Sequence, residues 1–421
     1  MTPRTFSWQF VTVGAVAALA LAGCGGSSGG TSTPAATTSA AASAAPGDGV
    51  LKIGTLLPQT GSLAFLGPPE FAGVEVAIKE INAAGGVLGK PVTNDKADSG
   101  DATTDIASSS VERLLSNKVD TIIGAASSAV SLTVIDKITG AGVVQFSPAN
   151  TSPKFTDYKD KGLYFRTAPS DVLQGRVLGD LILGDGAQTV GILALQDPYG
   201  TGLAENVKKS VEAGGGQVVA EKIYDPKAAT FSAEVGEIKA ANPDAIALIS
   251  FDEAKKIVPE MVKQKIDMKK VYFVDGNLSD YSKDFKKGTL DGAKGTQPGV
   301  VASGDFKTKM KAVDPKLKDY NYGPESYDAT VLTALAAEAA KSDSGTAIAS
   351  KLVEVSKGGT KCKSFDECVK LVKAGTDIDY DGVSGPVEFS DAGDPTEASI
   401  GIYQYGPDNT YKFLEGKAGK L

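Results

Sequence analysis

Residues 119–153 read VDTIIGAASSAVSLTVIDKITGAGVVQFSPANTSP. Residues 119–123 are apolar and β-branched and end at Gly124, the mark of a short buried strand. Ser127 or Ser128 is placed to cap a helix. That helix carries Leu132, Ile135 and Ile138 on one face and stops at Gly140 and Gly142. Residues 143–147 form a second strand, halted by Pro148. Strand, helix and strand at this spacing make a βαβ unit, whose two strands run parallel. The hydroxyl clusters Ser127/Ser128 and Asn150/Thr151 then lie beyond the carboxyl ends of neighbouring strands, where open α/β sheets hold their ligands. A helix N-terminus with free N–H groups and flanking hydroxyls suits an anion such as a carboxylate. The same residues also serve as ordinary caps and turns, and this stretch alone favours that plainer role.

Outward from this unit, strand and helix keep alternating. Residues 51–57 predict a strand, Pro58 to Gly61 a turn, and 71–82 a helix with Val74, Ala77, Ile78 and Ile81 at helical spacing. A strand follows Pro91, and residues 104–116 predict an amphipathic helix. Residues 164–169 read as an extended crossing, after which the alternation begins again: helices over 175–183, 199–213, 231–240 and 253–264, and strands over 189–195, 217–224, 245–250 and 271–274. Two doubly wound α/β units of similar size result. Gly200-x-Gly202 lacks the third glycine of a dinucleotide fingerprint, since Glu205 stands there. Beyond residue 300 the pattern loosens into helices over 326–341, 347–355 and 366–373, then short strands over 387–389 and 398–405. Strands after helices suggest a chain returning to sheets already built.

The 421 residues suit two or three domains, and 42% hydrophobic residues supply large cores. A formal charge of −8 without basic clusters argues against nucleic-acid binding. There is no histidine, which removes Ser-His-Asp and Cys-His catalysis and the common zinc sites. With no nucleophile motif either, an enzyme is not expected.

Arg4 precedes an apolar run over residues 10–22 that is too short for a stable membrane span. It ends in Leu21-Ala22-Gly23-Cys24, the pattern of a bacterial lipobox, which predicts cleavage before Cys24 and lipidation of its sulfur. Several acyl chains on one cysteine make a firm anchor. Residues 25–49, mostly Gly, Ser, Thr, Ala and Pro, read as a flexible tether. An exported body on a membrane leash is expected. In that setting Cys362 and Cys368, with five residues between them, predict a local structural disulfide.

In its whole folded part, from residue 50 to 421, the chain resembles the periplasmic leucine/isoleucine/valine-binding proteins of ABC importers. The resemblance rests on motifs in order: Ile53-Gly-x-Leu-x-Pro58-x-Thr-Gly61, Ala77-Ile-Lys-Glu-Ile-Asn-Ala-Ala-Gly-Gly-Val-Leu-Gly-Lys90, Ile123-Gly-x-x-Ser-Ser128, Ser147-Pro-Ala-Asn-Thr151, Phe165-Arg166, Asp197-x-Tyr199-Gly-x-Gly202 and Gly382-Val-Ser-Gly-Pro-Val-Glu-Phe389. It implies a type I binding-protein fold: two doubly wound α/β lobes joined by three hinge crossings, near Pro169, Gly299 and Ser399. The expected organisation is a signal peptide over 1–23, lipidated Cys24 and linker over 24–49, one lobe from 50–168 with 299–398, and the other from 169–298 with 399–421.

The resemblance also implies a ligand set. Ser128 and Thr151 hold a ligand carboxylate, with Ser127 nearby and Asn150 offering backbone groups. Asp275, in Val274-Asp275-Gly276, meets the ligand ammonium, although Asp-Gly also marks a plain turn. Tyr199 closes from the second lobe, Phe251 matches a further aromatic position loosely, and Leu66 stands where an aromatic often lines the first lobe. The implied function is capture of a small solute, a branched-chain or other apolar amino acid, and its delivery to an ABC permease by a monomer without cofactor or metal. A ligand sensor is the second class, and amides, urea or aromatic acids are other solutes of such proteins.

Asp377, Asp379, Asp381, Gly382 and Glu388 also match the spacing of an EF-hand calcium loop. Ser384 stands where that loop has an apolar residue, Pro386 falls late in it, and no helix follows. The strand motif above covers the same residues, so calcium binding is not expected.

Overall fold

The structure, a computed structural model, describes residues 47–421. Cys24 and the leader therefore lie outside the described residues. In chain order the elements are β1 (Lys52–Leu57), α1 (Gly67–Ala83), β2 (Thr93–Asp98), α2 (Ile106–Ser116), β3 (Thr121–Gly124), α3 (Ser128–Gly140), β4 (Val144–Ser147) and β5 (Tyr164–Arg166). Then come α4 (Asp171–Gly184), β6 (Thr189–Leu195), α5 (Pro198–Ala213), β7 (Gln217–Tyr224), α6 (Ser232–Ala240), β8 (Ala245–Ile249), α7 (Ala254–Lys263), β9 (Val271–Phe273) and β10 (Lys294–Pro298). The last part holds α8 (Gly304–Val313), α9 (Gly323–Ala340), α10 (Gly345–Val355), β11 (Thr360–Cys362), α11 (Phe365–Lys373), β12 (Ile378–Gly382), β13 (Gly385–Pro386), β14 (Glu397–Tyr405) and β15 (Tyr411–Lys420).

Two sheets organise two lobes. The first, ordered β2-β1-β3-β4-β5, is parallel throughout. The second, ordered β15-β14-β10-β9-β8-β6-β7, is parallel except where β14 and β15 add antiparallel strands. Parallel strands are covered on both faces, so their sequences read as continuous apolar runs. β8, AIALI, and the inner residues of β6 are buried along their length for this reason. In the first lobe, Val111, Leu114, Val130 and Ile138 of α2 and α3 pack one face of the sheet. Val74 and Ile81 of α1, with Leu332, Leu335 and Ile348 of α9 and α10, fill the other. The long segment after β10 thus returns to the first lobe before β14 goes back to the second.

The chain crosses between lobes after β5, after β10 and before β14. Gly299, in the second crossing, has φ +93° and donates its N–H to the Ser399 carbonyl at 2.8 Å. The Thr167 hydroxyl, in the first, donates to the Glu325 carbonyl at 3.0 Å, which ties that crossing to α9.

Several elements depart from their expected bounds. α1 starts at Gly67 because Pro68 and Pro69 fall in its first turn, where no intrahelical N–H bond is needed. α4 starts at Asp171, capped by the Ser170 hydroxyl, before the first strongly apolar turn. Residues 387–389 make no strand; Phe389 forms a single bridge to Pro395 and holds its place by packing on Phe146 and Phe165. β10, α8 and β15 were not expected. β15 is a largely exposed edge strand with Lys412, Lys417 and Lys420 along it, so it lacks a buried apolar face to announce it.

The acidic run at 377–388 is a β-hairpin. β12 pairs with β11, and Asp379 lies 3.2 Å from the Lys361 ammonium. The turn after it wraps a buried carboxylate: the Val383 and Ser384 N–H groups donate to Asp328 at 3.0 and 2.7 Å, and Tyr380 donates its hydroxyl at 2.7 Å. Burial pushes the Asp328 carboxyl up to about 6, against these hydrogen bonds.

Cys362 and Cys368 form a disulfide that ties β11 to α11. Intact mass after alkylation should show no free thiol at these positions until reductant is added; two free thiols in non-reduced protein would contradict it. Replacing both by Ser should cost about 2 kcal/mol in a denaturant titration, the entropy of closing so short a loop.

Candidate functional site

β3 and β4 lie side by side and parallel, and the loops that leave their carboxyl ends build one wall of a cavity between the lobes. Gly124 ends β3 with φ +130°, and a Cβ there would stand 2.0 Å from the Leu56 carbonyl oxygen, so only glycine lets the chain pass. Ser127 is the N-cap of α3; its hydroxyl accepts from the Val130 N–H at 3.4 Å. The first N–H groups of α3 have no intrahelical acceptor and face this end of the helix. The Ser128 hydroxyl accepts from the Ser152 N–H at 3.3 Å, which leaves its proton free to donate. Thr151 lies beside it, its carbonyl accepting the Asp171 N–H at 2.7 Å.

These loops are held from behind. The Ser147 hydroxyl donates to the Ala125 carbonyl at 2.7 Å and accepts the Asn150 N–H at 2.9 Å. The Asn150 amide donates to the Ala125 and Ala126 carbonyls at 3.0 and 2.8 Å and accepts the Tyr164 hydroxyl at 2.9 Å. Arg166 is fully buried. It donates to the Asn150 and Ser152 carbonyls at 3.3 and 2.8 Å, and its Nε and Nη2 grip Asp394 at 2.6 and 3.0 Å.

The facing wall belongs to the second lobe. The chain leaves β9 into a single tight turn, Asp275–Asn277. The Asn277 side chain pins this turn, accepting the Val274 N–H and donating to the Leu248 carbonyl, each at 2.8 Å. Gly276 is required because the Phe251 ring packs against it: a Cβ would meet that ring at 2.8 Å. Phe251 in turn stacks on Tyr199, ring centres 5.3 Å apart. The Asp275 carboxylate accepts the Tyr199 and Tyr322 hydroxyls, each at 2.7 Å, and the Gln174 amide at 2.9 Å. Burial pushes its pKa up, while the hydrogen bonds from Tyr322, Tyr199 and Gln174 pull it back towards the charged form.

Leu66, Ser127, Ser128, Thr151, Tyr199, Phe251 and Asp275 all line this one cavity, with Leu63, Ala126, Ala149, Gly276 and Tyr322. Asn150 does not. Its main-chain and side-chain groups are spent on Ser147, Arg166, Ala125, Ala126 and Tyr164, so the backbone contribution expected of it is replaced by a structural one. Sequence reasoning missed Tyr322 and Gln174. Tyr322 stands just before Gly323-Pro324, a helix-start signal that lay ahead of the expected start at residue 326. Gln174 faces Asp275 from α4, across a sequence gap with no local signature. The walls close to within about 10 Å³ of free space, room for roughly one water. One wall thus offers N–H and hydroxyl donors and the other a buried carboxylate, the arrangement that fits a small molecule with an anionic and a cationic end.

A family model described as periplasmic binding protein matches residues 50–409. A Leu/Ile/Val-binding protein homolog of Brucella suis is 27% identical over 380 residues, covering 86% of this chain and 93% of that protein. Among solved structures, the branched-chain amino acid transporter substrate-binding protein LivJ of Streptococcus pneumoniae, in complex with isoleucine, superposes with a TM-score of 0.72 at 23% identity, covering 88% of this chain and 100% of that one. A solute-binding protein of an ABC transporter from R. palustris, in complex with 4-hydroxybenzoate, superposes at 0.71 with 17% identity, covering 88% and 98%.

Asp394→Ala would leave the Arg166 guanidinium buried and unpaired. Removing one partner of such a pair costs about 3–5 kcal/mol. Urea denaturation of this variant should show a loss in that range, and a loss below about 1 kcal/mol, the scale of an exposed pair, would contradict the clamp.

Proposed function

This chain belongs to the periplasmic binding protein family, and on that premise we propose that it captures a free α-amino acid with an apolar side chain between its lobes and hands it to an ABC permease. The observation that carries this reading is the facing pair of walls: the α3 N-terminus with Ser128 and Thr151 on the first lobe, and Asp275 on the second. A zwitterion satisfies both at once, and neither lobe satisfies it alone, so binding favours the closed form. Closure expels water and strengthens each polar contact. Leu63, Leu66, Ala126 and Ala149 leave an apolar lining for the side chain. An amino acid needs more than the present space, so it enters with the lobes parted and displaces tyrosine hydroxyls from Asp275.

Asp275 also supports a second reading. Its carboxylate is already held by three neutral donors, Tyr199, Tyr322 and Gln174, and so does not need an ammonium. A ligand with an anionic end and no amine, such as an aromatic acid, would part the lobes and lose the Tyr322 bond, but would leave Tyr199 and Gln174 on Asp275. Outside the described residues, Cys24 would anchor the chain at the extracytoplasmic face of the membrane, and the protein would act there as a monomer.

Calorimetry with leucine, isoleucine, valine, their amides and 4-hydroxybenzoate separates the readings. Asp275→Asn should weaken an amino acid by about 2–5 kcal/mol, the cost of leaving a buried charge unpaired. Thr151→Ala should cost about 1–3 kcal/mol, one hydrogen bond to a charged group. The amides should bind poorly to every variant. Binding of 4-hydroxybenzoate but of none of the amino acids would replace the zwitterion by an aromatic acid.

Cys24→Ala should move the protein from the membrane fraction to the soluble fraction after cell lysis. A variant that stays with the membrane would count against the lipid anchor.

A further inference from the structure

A second, larger cavity of about 950 Å³ lies where the chain crosses from β10 to α8. Phe65, the first turn of α1 and residues between 302 and 325 wall it from the first lobe, and residues 279–284 and 403–413 from the second. It is a neighbour of the first cavity. Phe65 lines the larger one and Leu66 the smaller, and Tyr322 lines both.

Tyr322 is an unusual wall. It is a non-glycine residue at φ +57°, a conformation that costs about 1–3 kcal/mol and collects at ligand clamps. Its ring is buried, and its hydroxyl bond to Asp275 is the contact that holds it across the smaller cavity.

Beyond that ring the larger cavity has polar groups that lack partners. Gln297 is buried, and among the described residues neither its amide nitrogen nor its amide oxygen has a hydrogen-bond partner. An unmade bond of this kind costs about 1–3 kcal/mol per group. Glu325 is a buried residue of the same lining, where desolvation pushes its carboxyl up to about 8. Phe65, Tyr320, Tyr403 and Tyr411 supply flat apolar surface around them.

We propose that Tyr322 is a gate between the two cavities, and that with its ring turned aside the joined site takes a longer α-amino acid whose side chain ends in N–H donors. The head group stays at Ser128, Thr151 and Asp275, so this extension rests on the zwitterion reading above. The methylene stem runs past the turned ring, and the terminal N–H groups donate to the Gln297 amide oxygen and the Glu325 carboxyl. Arginine and citrulline have the same length and both present such donors, one as a cation and one as a neutral urea.

The test is calorimetry of the full folded protein with leucine, arginine and citrulline, on wild type and on Gln297→Leu. Replacing an unpartnered buried amide by an apolar group of similar shape should not harm folding, so the thermal midpoint of Gln297→Leu should match or exceed wild type. Wild type should bind leucine and at least one of the two long amino acids. Gln297→Leu should weaken the long ligand about tenfold more than it weakens leucine, the worth of one hydrogen bond. Tighter binding of arginine assigns the tail site to a cation, and tighter binding of citrulline to a neutral donor; either supports the gate. Leucine binding without arginine or citrulline overturns the extension and leaves the zwitterion reading standing. So does a long ligand that Gln297→Leu leaves unaffected or weakens no more than leucine. Failure of all three amino acids on wild type overturns the zwitterion reading and the extension with it.

Discussion

A guanidinium with no access to water must be hydrogen-bonded on every side, and the first lobe is arranged to do this for Arg166. Its five N–H groups donate to the Asn150 and Ser152 carbonyls, in the loop that carries Thr151, to the Thr156 hydroxyl, and twice to Asp394, just before the chain leaves for β14. One buried cation therefore fixes the hydroxyl-bearing loop and the start of the third crossing to the same end of β5. Desolvating an arginine is costly, and only a complete set of partners offsets it. The set is complete here, so the loop beside the cavity has little freedom to adjust to a ligand. Asn150 extends the same logic, joining the Thr151 loop to the loop that leads into α3.

The second lobe solves a different problem. Among the described residues no cation lies beside the buried Asp275 carboxylate, which phenol and amide donors keep in place. Tyr199 and Gln174 come from its own lobe, but Tyr322 comes from the first. The Tyr322 bond therefore joins the lobes across the cavity, as does the bond from the Ser152 hydroxyl to the Pro198 carbonyl at 2.8 Å. The closed arrangement has contacts of its own. A ligand that takes Asp275 must replace the Tyr322 bond, while the Ser152–Pro198 bond adds to closure.

Gly382 to Phe389 shows how a motif can be legible before its reason is. Its spacing imitates a calcium loop, yet what it builds is a cradle of N–H groups for Asp328, with Phe389 set against Phe146 and Phe165. A Cβ on Gly382 would lie 2.3 Å from the Asp328 carboxylate, so the close approach requires glycine. Asp379 and Asp381 share one face of β12, where the Lys361 ammonium lies 3.2 and 3.8 Å from them and takes the place a cation would have.

The alternation of apolar runs with helical faces, the βαβ unit at 119–153 and the hydroxyls beyond its strands could all be read from the chain, because they depend on local periodicity and capping. The Asp275-Gly276 turn could be read as a turn, and its place opposite Ser128 followed only from resemblance. Nothing local could show that Asn150 faces inward, that Tyr322 closes over Asp275, or that Gln174 supports it. These are contacts between residues far apart in sequence, made when two separately built sheets meet across three crossings. β15 was hidden for a related reason: an edge strand buries little, so its residues carry no apolar pattern until β14 is there to pair with it. Periodicity records which face of an element is covered, and it is silent about which other element does the covering.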